Sequence, residues 1–201
     1  AYAQAKKLGK ADNLTICVPS GNFGNITAGL FAQRMGLPIM NFIAANNAND
    51  IFYNYLLSGI YSPKASIQTI ANAMDVGDPS NFARILDLYK SSHAEICNHI
   101  SGATYSDDEI AATMKKCYEQ TGYVLDPHGA CGYQALKDNL KEGETGVFLE
   151  TAHPAKFKEK VDAILSTDIE IPTRLADFMK GKKQSLEMAA DFSAFKQFLL
   201  S

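Results

Sequence analysis

Apolar residues along this chain fall into two rhythms that follow one another. Leu14-Thr15-Ile16-Cys17-Val18 is a short β-branched run, and a polar turn over residues 19–25 separates it from Ile26–Met35, where Ile26, Leu30 and Phe31 share one helical face. Leu37–Ala45 repeats the first rhythm, with its proline at the start where a strand tolerates one, and Asn46–Asp50 turns into a helix bearing Ile51, Tyr55 and Leu56. Gly146-Val147-Phe148-Leu149 is a third buried run. Glu150-Thr151-Ala152-His153 follows it, and a helix opened by Pro154 then carries Phe157, Val161, Ile164 and Leu165. Successive strand–turn–helix units predict parallel strands joined by right-handed crossovers, an α/β sheet. Ligands of such sheets bind beyond the carboxyl ends of the strands, so the turns at 19–25 and 46–50 share one edge.

Between these units the pattern turns helical. A leading helix ends on a stop at Gly9, and residues 58–80 form a loop punctuated by Gly59, Pro63, Gly77 and Pro79. Asp78 before Pro79 reads as a helix cap, and Phe82, Ile85, Leu86 and Tyr89 make a core stripe. Residues 81–121 read as helix throughout, with Ser106-Asp107-Asp108-Glu109 as a capping box. Tyr123-Val124-Leu125 is the candidate edge strand of the sheet. Asp126-Pro127 opens a helix to about Leu140, with His128 in its first turn facing either a site or solvent. Two short helices close the chain after residue 167, the last carrying Met188, Phe192, Phe195 and Leu199 on one face.

Ser20-Gly21-Asn22-Phe23-Gly24-Asn25 is the stretch with chemistry in it. A strand ending in a tight turn at a helix N-terminus leaves main-chain N–H groups unpaired where the helix dipole favours an anion. Gly21 and Gly24 are expected to supply positive φ and close approach. No Gly-Lys-Ser/Thr follows for a nucleoside triphosphate, and the glycine spacing departs from Gly-x-Gly-x-x-Gly. From the residues alone, the stretch suits one small phosphate or a plain turn.

Composition narrows the class. With 201 residues, 46% hydrophobic, 20% charged and a net charge of −3, the chain is long enough for a sizeable core and lacks the basic stripe of a nucleic-acid surface. No apolar run reaches membrane-spanning length and no secretory leader pattern opens the chain, so no membrane partner is expected. Four cysteines at 17, 97, 117 and 131 form no Cys-x-x-Cys pair, in keeping with reduced thiols and a cytoplasmic setting. His93, Cys97 and His99 lack zinc-ligand spacing, and no metal is expected.

Four stretches in order carry a resemblance to a known family. They are Ser20–Asn25, Phe42–Asp50, Asn72–Phe82 and Thr151-Ala152-His153-Pro154-Ala155-Lys156-Phe157. Together they resemble threonine synthases, pyridoxal-phosphate enzymes of the tryptophan-synthase-β structural group (fold type II). The resemblance implies pyridoxal 5'-phosphate as cofactor, with Ser20, Gly21, Asn22, Phe23, Gly24 and Asn25 around its phosphate and the Thr151 hydroxyl at its ring nitrogen. It places Asn47, Asn49, Asp50 and Lys156 near substrate; read as residues, the first three equally suit helix capping. It implies conversion of O-phosphohomoserine and water to threonine and phosphate. A phospho-lyase stopping after elimination and a non-catalytic phosphate-binding module are the alternatives. In the family the Schiff-base lysine precedes the phosphate loop, and no lysine here matches it. No catalytic residue is therefore assigned, and the chain is expected to be an inactive C-terminal piece partnered by an N-terminal half of the same polypeptide. Residues 1–60 and 122–167 are assigned to the cofactor-binding α/β domain, 61–121 to a mostly helical insertion and 168–201 to a helical tail.

Overall fold

The computed structural model describes residues 1–201 and divides into two units, Ala1–Ile169 and Glu170–Ser201. In the first, α1 (Tyr2–Lys7) precedes β1 (Leu14–Pro19), α2 (Gly24–Arg34), β2 (Asn41–Asn46) and α3 (Ile51–Ser58). A single 3-10 turn, Asn72–Met74, interrupts the following loop before α4 (Phe82–Leu88), α5 (His93–His99) and β3 (Ile100–Thr104). Then come α6 (Asp107–Thr121), α7 (Pro127–Asn139), β4 (Thr145–Phe148), a 3-10 turn at Pro154–Phe157 and α8 (Lys158–Leu165).

The four strands form one parallel sheet in the order β3-β2-β1-β4. Every residue of β1 is buried, as a central strand covered on both faces requires. Alternation divides its side chains between two cores. Ile16 and Val18 face Ile26, Leu30, Phe42, Phe52 and Ile85 on one side, while Cys17 faces Ile43, Met114, Cys131 and Ala135 on the other. Gly29 lets α2 lie flat on this sheet: a Cβ there would stand 2.6 Å from the Phe42 ring.

Two expectations fail here. Residues 81–121 are not helix throughout: within the stretch assigned to a mostly helical insertion, β3 pairs with β2 and forms the sheet edge. Tyr123-Val124-Leu125, expected as an edge strand of the sheet, forms no strand; Leu125 is buried in the second core and Gly122 ends α6 in the left-handed conformation. The capping box forms as read, with Ser106 and Glu109 each serving the other's backbone. In the second unit, α9 (Thr173–Met179) follows Pro172, and α10 (Phe192–Leu200) is capped by the Asp191 carboxylate accepting from the Ala194 N–H. Neither helix holds a buried residue.

Candidate functional site

β1 ends at Pro19 and α2 begins at Gly24, so residues 20–23 turn the chain at the carboxyl edge of the sheet. The Ser20 N–H donates to the Ala45 carbonyl at 2.8 Å and its hydroxyl to the Val18 carbonyl at 2.8 Å. Both Ser20 donors are therefore spent inside the protein. Beyond it, the main-chain N–H groups of Gly21, Asn22, Phe23, Gly24, Asn25 and Ile26 find no acceptor on the protein. The first intrahelical bond of α2 is the one from the Thr27 N–H to the Phe23 carbonyl at 3.1 Å. A run of unspent donors at the positive end of a helix is a site for an anion.

The loop takes its shape differently from the expectation. Neither Gly21 nor Gly24 has positive φ; Phe23 does, at 61°, with its side chain buried against Phe52 at 4.5 Å between ring centroids. Burying that ring offsets the cost of a left-handed backbone at a non-glycine residue. Gly21 is required by close approach instead, since a Cβ would stand 2.6 Å from Met74 Cα and 2.9 Å from the Ala73 carbonyl oxygen. Asn22 ties the loop to the start of α4, its side-chain oxygen accepting from the Ser80 N–H at 2.6 Å and its carbonyl from the Asn81 amide at 2.7 Å.

A cavity of about 220 Å³ opens over these donors, lined by residues 19–25 together with Ala73, Met74, His128 and Thr151. His128 is buried and fixed from both sides. Its Nε2 accepts from the Ala73 N–H at 3.0 Å, which places the ring proton on Nδ1, 2.6 Å from Asp126 Oδ1. The same carboxylate oxygen accepts the His128 N–H at 2.8 Å. Burial works against the Asp126 charge, but these bonds outweigh it and hold its carboxyl below the usual range. Glu150, next to Thr151, is different: burial, and then the adjacent Asp126, push its carboxyl up to about 9. The Thr151 hydroxyl has no partner in the protein and stands exposed at the cavity.

The other candidates do not line this cavity. Asn47 and Asn49 are buried, and their side chains neither face the cavity nor cap α3. Asn47 donates to Thr69 Oγ1 and to Asp75 Oδ1, both at 2.8 Å, and its own oxygen accepts the Asn49 N–H at 2.9 Å. The Asn49 amide donates to the Ile67 carbonyl at 3.0 Å and its oxygen accepts the Ile67 N–H at 2.9 Å. Both residues lash the 67–75 loop to the sheet, with every side-chain polar atom occupied. Asp50 makes no cap bond; it pairs with Lys64 at 2.6 Å. Lys156 is exposed on the Pro154–Phe157 turn, outside the cavity lining. His93 Nε2 lies 3.0 Å from the Leu56 carbonyl, and Cys97 Sγ is 3.3 Å from that nitrogen. The carboxyl pair of Asp126 and Glu150 was legible only as a helix cap and a strand end. The available signal was a glutamate closing an apolar run.

Unspent main-chain donors thus stand at the edge of a parallel sheet beside a free hydroxyl, and the chain belongs to the pyridoxal-phosphate dependent enzyme family, whose model matches residues 2–151. A model described as threonine synthase, C-terminal, matches residues 129–199. The threonine synthase of Haemophilus influenzae is 46% identical over 200 residues, covering 100% of this chain and 46% of that protein. The crystal structure of the Escherichia coli threonine synthase superposes with a TM-score of 0.80 at 42% identity, over 94% of this chain and 44% of the other. The pyridoxal-phosphate-bound threonine synthase of Brucella melitensis gives 0.84 at 32% identity, over 98% and 48%. The architecture is thus that of fold type II, and pyridoxal phosphate is the cofactor of the family. The chain spans about half the length of the relatives it matches. None of its helices is long and apolar enough to cross a membrane.

Proposed function

We propose that the cavity binds pyridoxal 5'-phosphate, with the N–H groups of residues 21–25 on its phosphate and the Thr151 hydroxyl at its ring nitrogen. One observation carries this: consecutive main-chain donors at the start of α2 with no acceptor of their own. Ser20 shapes the cradle without donating to it, because its donors are used within the protein. Asn22, Phe23 and Asn25 contribute backbone, and the side chains of Asn22 and Phe23 hold the loop in place. His128 and the Ala73–Met74 turn form the facing wall. Bound there, the cofactor supplies an electron sink for carbanion chemistry. A neutral hydroxyl at the ring nitrogen holds a proton there less firmly than a carboxylate would.

We further propose that the polypeptide acts as a threonine synthase, converting O-phosphohomoserine and water to threonine and phosphate in the cytoplasm. The four unpaired cysteines suit that compartment. Its Schiff-base lysine is assigned to an N-terminal half of the same polypeptide, so this chain alone does not turn substrate over. Titration with pyridoxal phosphate, followed by cofactor fluorescence, is expected to saturate and to be competed by inorganic phosphate. Thr151→Val should change the bound cofactor's absorbance while phosphate competition persists. Binding that ignores phosphate would overturn the cradle, and borohydride trapping of the cofactor on this chain would overturn the assignment of the lysine elsewhere.

A further inference from the structure

Three carboxyl oxygens beside the cavity have no hydrogen-bond partner although all are shielded from water: Asp126 Oδ2 and both oxygens of Glu150. The Glu150 carboxyl lies directly over the first turn of α7, where a Cβ on Gly129 would stand 2.1 Å from Oε2. Two adjacent buried carboxylates, both charged and with three of their four oxygens unpartnered, would be costly to hold. One proton removes the difficulty. We propose that Glu150 is a neutral acid donating its proton to Asp126 Oδ2, completing a line of hydrogen bonds from Glu150 through Asp126 and His128 to the Ala73 N–H. That line makes Glu150 a positioning residue for the Ala73–Met74 wall that faces the phosphate loop. The asymmetry follows from the contacts. Asp126 accepts two N–H bonds from His128 and keeps its charge, whereas Glu150 accepts none and keeps the proton.

The titratable groups around Glu150 are Asp126 and His128 from the start of α7 and Tyr123 from the preceding loop, with Cys117 of α6 beside Tyr123. None supplies a permanent positive charge to stabilise an ionised Glu150. Losing its proton therefore sets two anions side by side behind the wall.

Infrared spectroscopy reads the proton directly. The purified protein, without cofactor, is expected to show the carbonyl stretch of a protonated carboxylic acid at pH 7. Glu150→Gln should abolish that band, and in the unsubstituted protein it should fade as pH rises through about 9. Absence of the band at pH 7, or its survival in Glu150→Gln, overturns the proposal. The positioning role rests on the proposed cofactor site and has its own readout. Glu150→Ala should weaken pyridoxal phosphate about 5- to 150-fold, the factor carried by leaving a buried charged group short of one bond. Glu150→Gln, which still donates to Asp126, should restore the affinity and remove its decline at high pH. Equal losses in both variants would refute the relay. Failure of pyridoxal phosphate to bind any form, with the infrared band in place, would instead indict the cofactor site.

Discussion

Replacing Gly21 with alanine puts a methyl group where the protein already has backbone. The new Cβ would stand 2.6 Å from Met74 Cα and 2.9 Å from the Ala73 oxygen, distances that no side-chain rotation relieves. The Asn72–Met74 turn must move away from the loop, or the loop from the turn, and moving the turn pulls Ala73 off its bond to His128. Overpacking against a well-fixed neighbour costs about 1–3 kcal/mol. Wherever the loop yields, the free donors are also displaced, and pyridoxal-phosphate affinity should fall by a similar energy, about 5- to 150-fold. Gly24→Ala is the matched control, because its Cβ would meet only the Asn81 side-chain nitrogen at 3.7 Å, an ordinary contact. Its stability should stay within about 0.5 kcal/mol of the parent. Urea unfolding and cofactor titration on the two variants measure both effects. Gly21→Ala with unchanged midpoint and unchanged affinity would refute the close-approach account, since nothing in its φ demands glycine.

The carboxyl of Glu150 also sets a pH dependence of stability. Its ordinary value of 4.5 rises to about 9 on folding, so the folded form binds more protons between those limits and stability falls as pH climbs through that window. Glu150→Gln should flatten this slope in urea midpoints measured across it; an unchanged slope would mean that another group is responsible. Asn47→Ala leaves Asp75 and the Asn49 N–H short of their partners, and a cost of about 2–4 kcal/mol is expected from thermal melts, with faster amide exchange over residues 67–75. Ser106→Ala removes half of the capping box and should cost about 1 kcal/mol in the same melts, leaving cofactor affinity untouched.

What could be read in the sequence was local. β1, the loop and α2 are contiguous, and a β-branched run, a glycine-bearing turn and a helical stripe each declare themselves within a few residues. β3 could not be read this way. Ile100-Ser101-Gly102-Ala103-Thr104 has one large apolar side chain, and pairing with β2, far away along the chain, makes it a strand. Asn47 and Asn49 carried good capping chemistry, yet their bonds go to a loop some twenty residues downstream. The left-handed residue of the 20–23 turn is Phe23 because its ring has a place beside Phe52, a fact that only the packed core supplies. His128 was ambiguous for the same reason: Asp126-Pro127 opens a helix whether or not Ala73 approaches the ring.

The free donors at residues 21–25 belong to the polypeptide itself, and no lysine or arginine lines the cavity above them. An alanine scan would step across Asn22, Phe23 and Asn25 without deleting one of those donors, and any loss it records would come from a displaced chain path. Residues 20–25 include no ionisable side chain, so these donors keep their protons whether the medium is acid or alkaline.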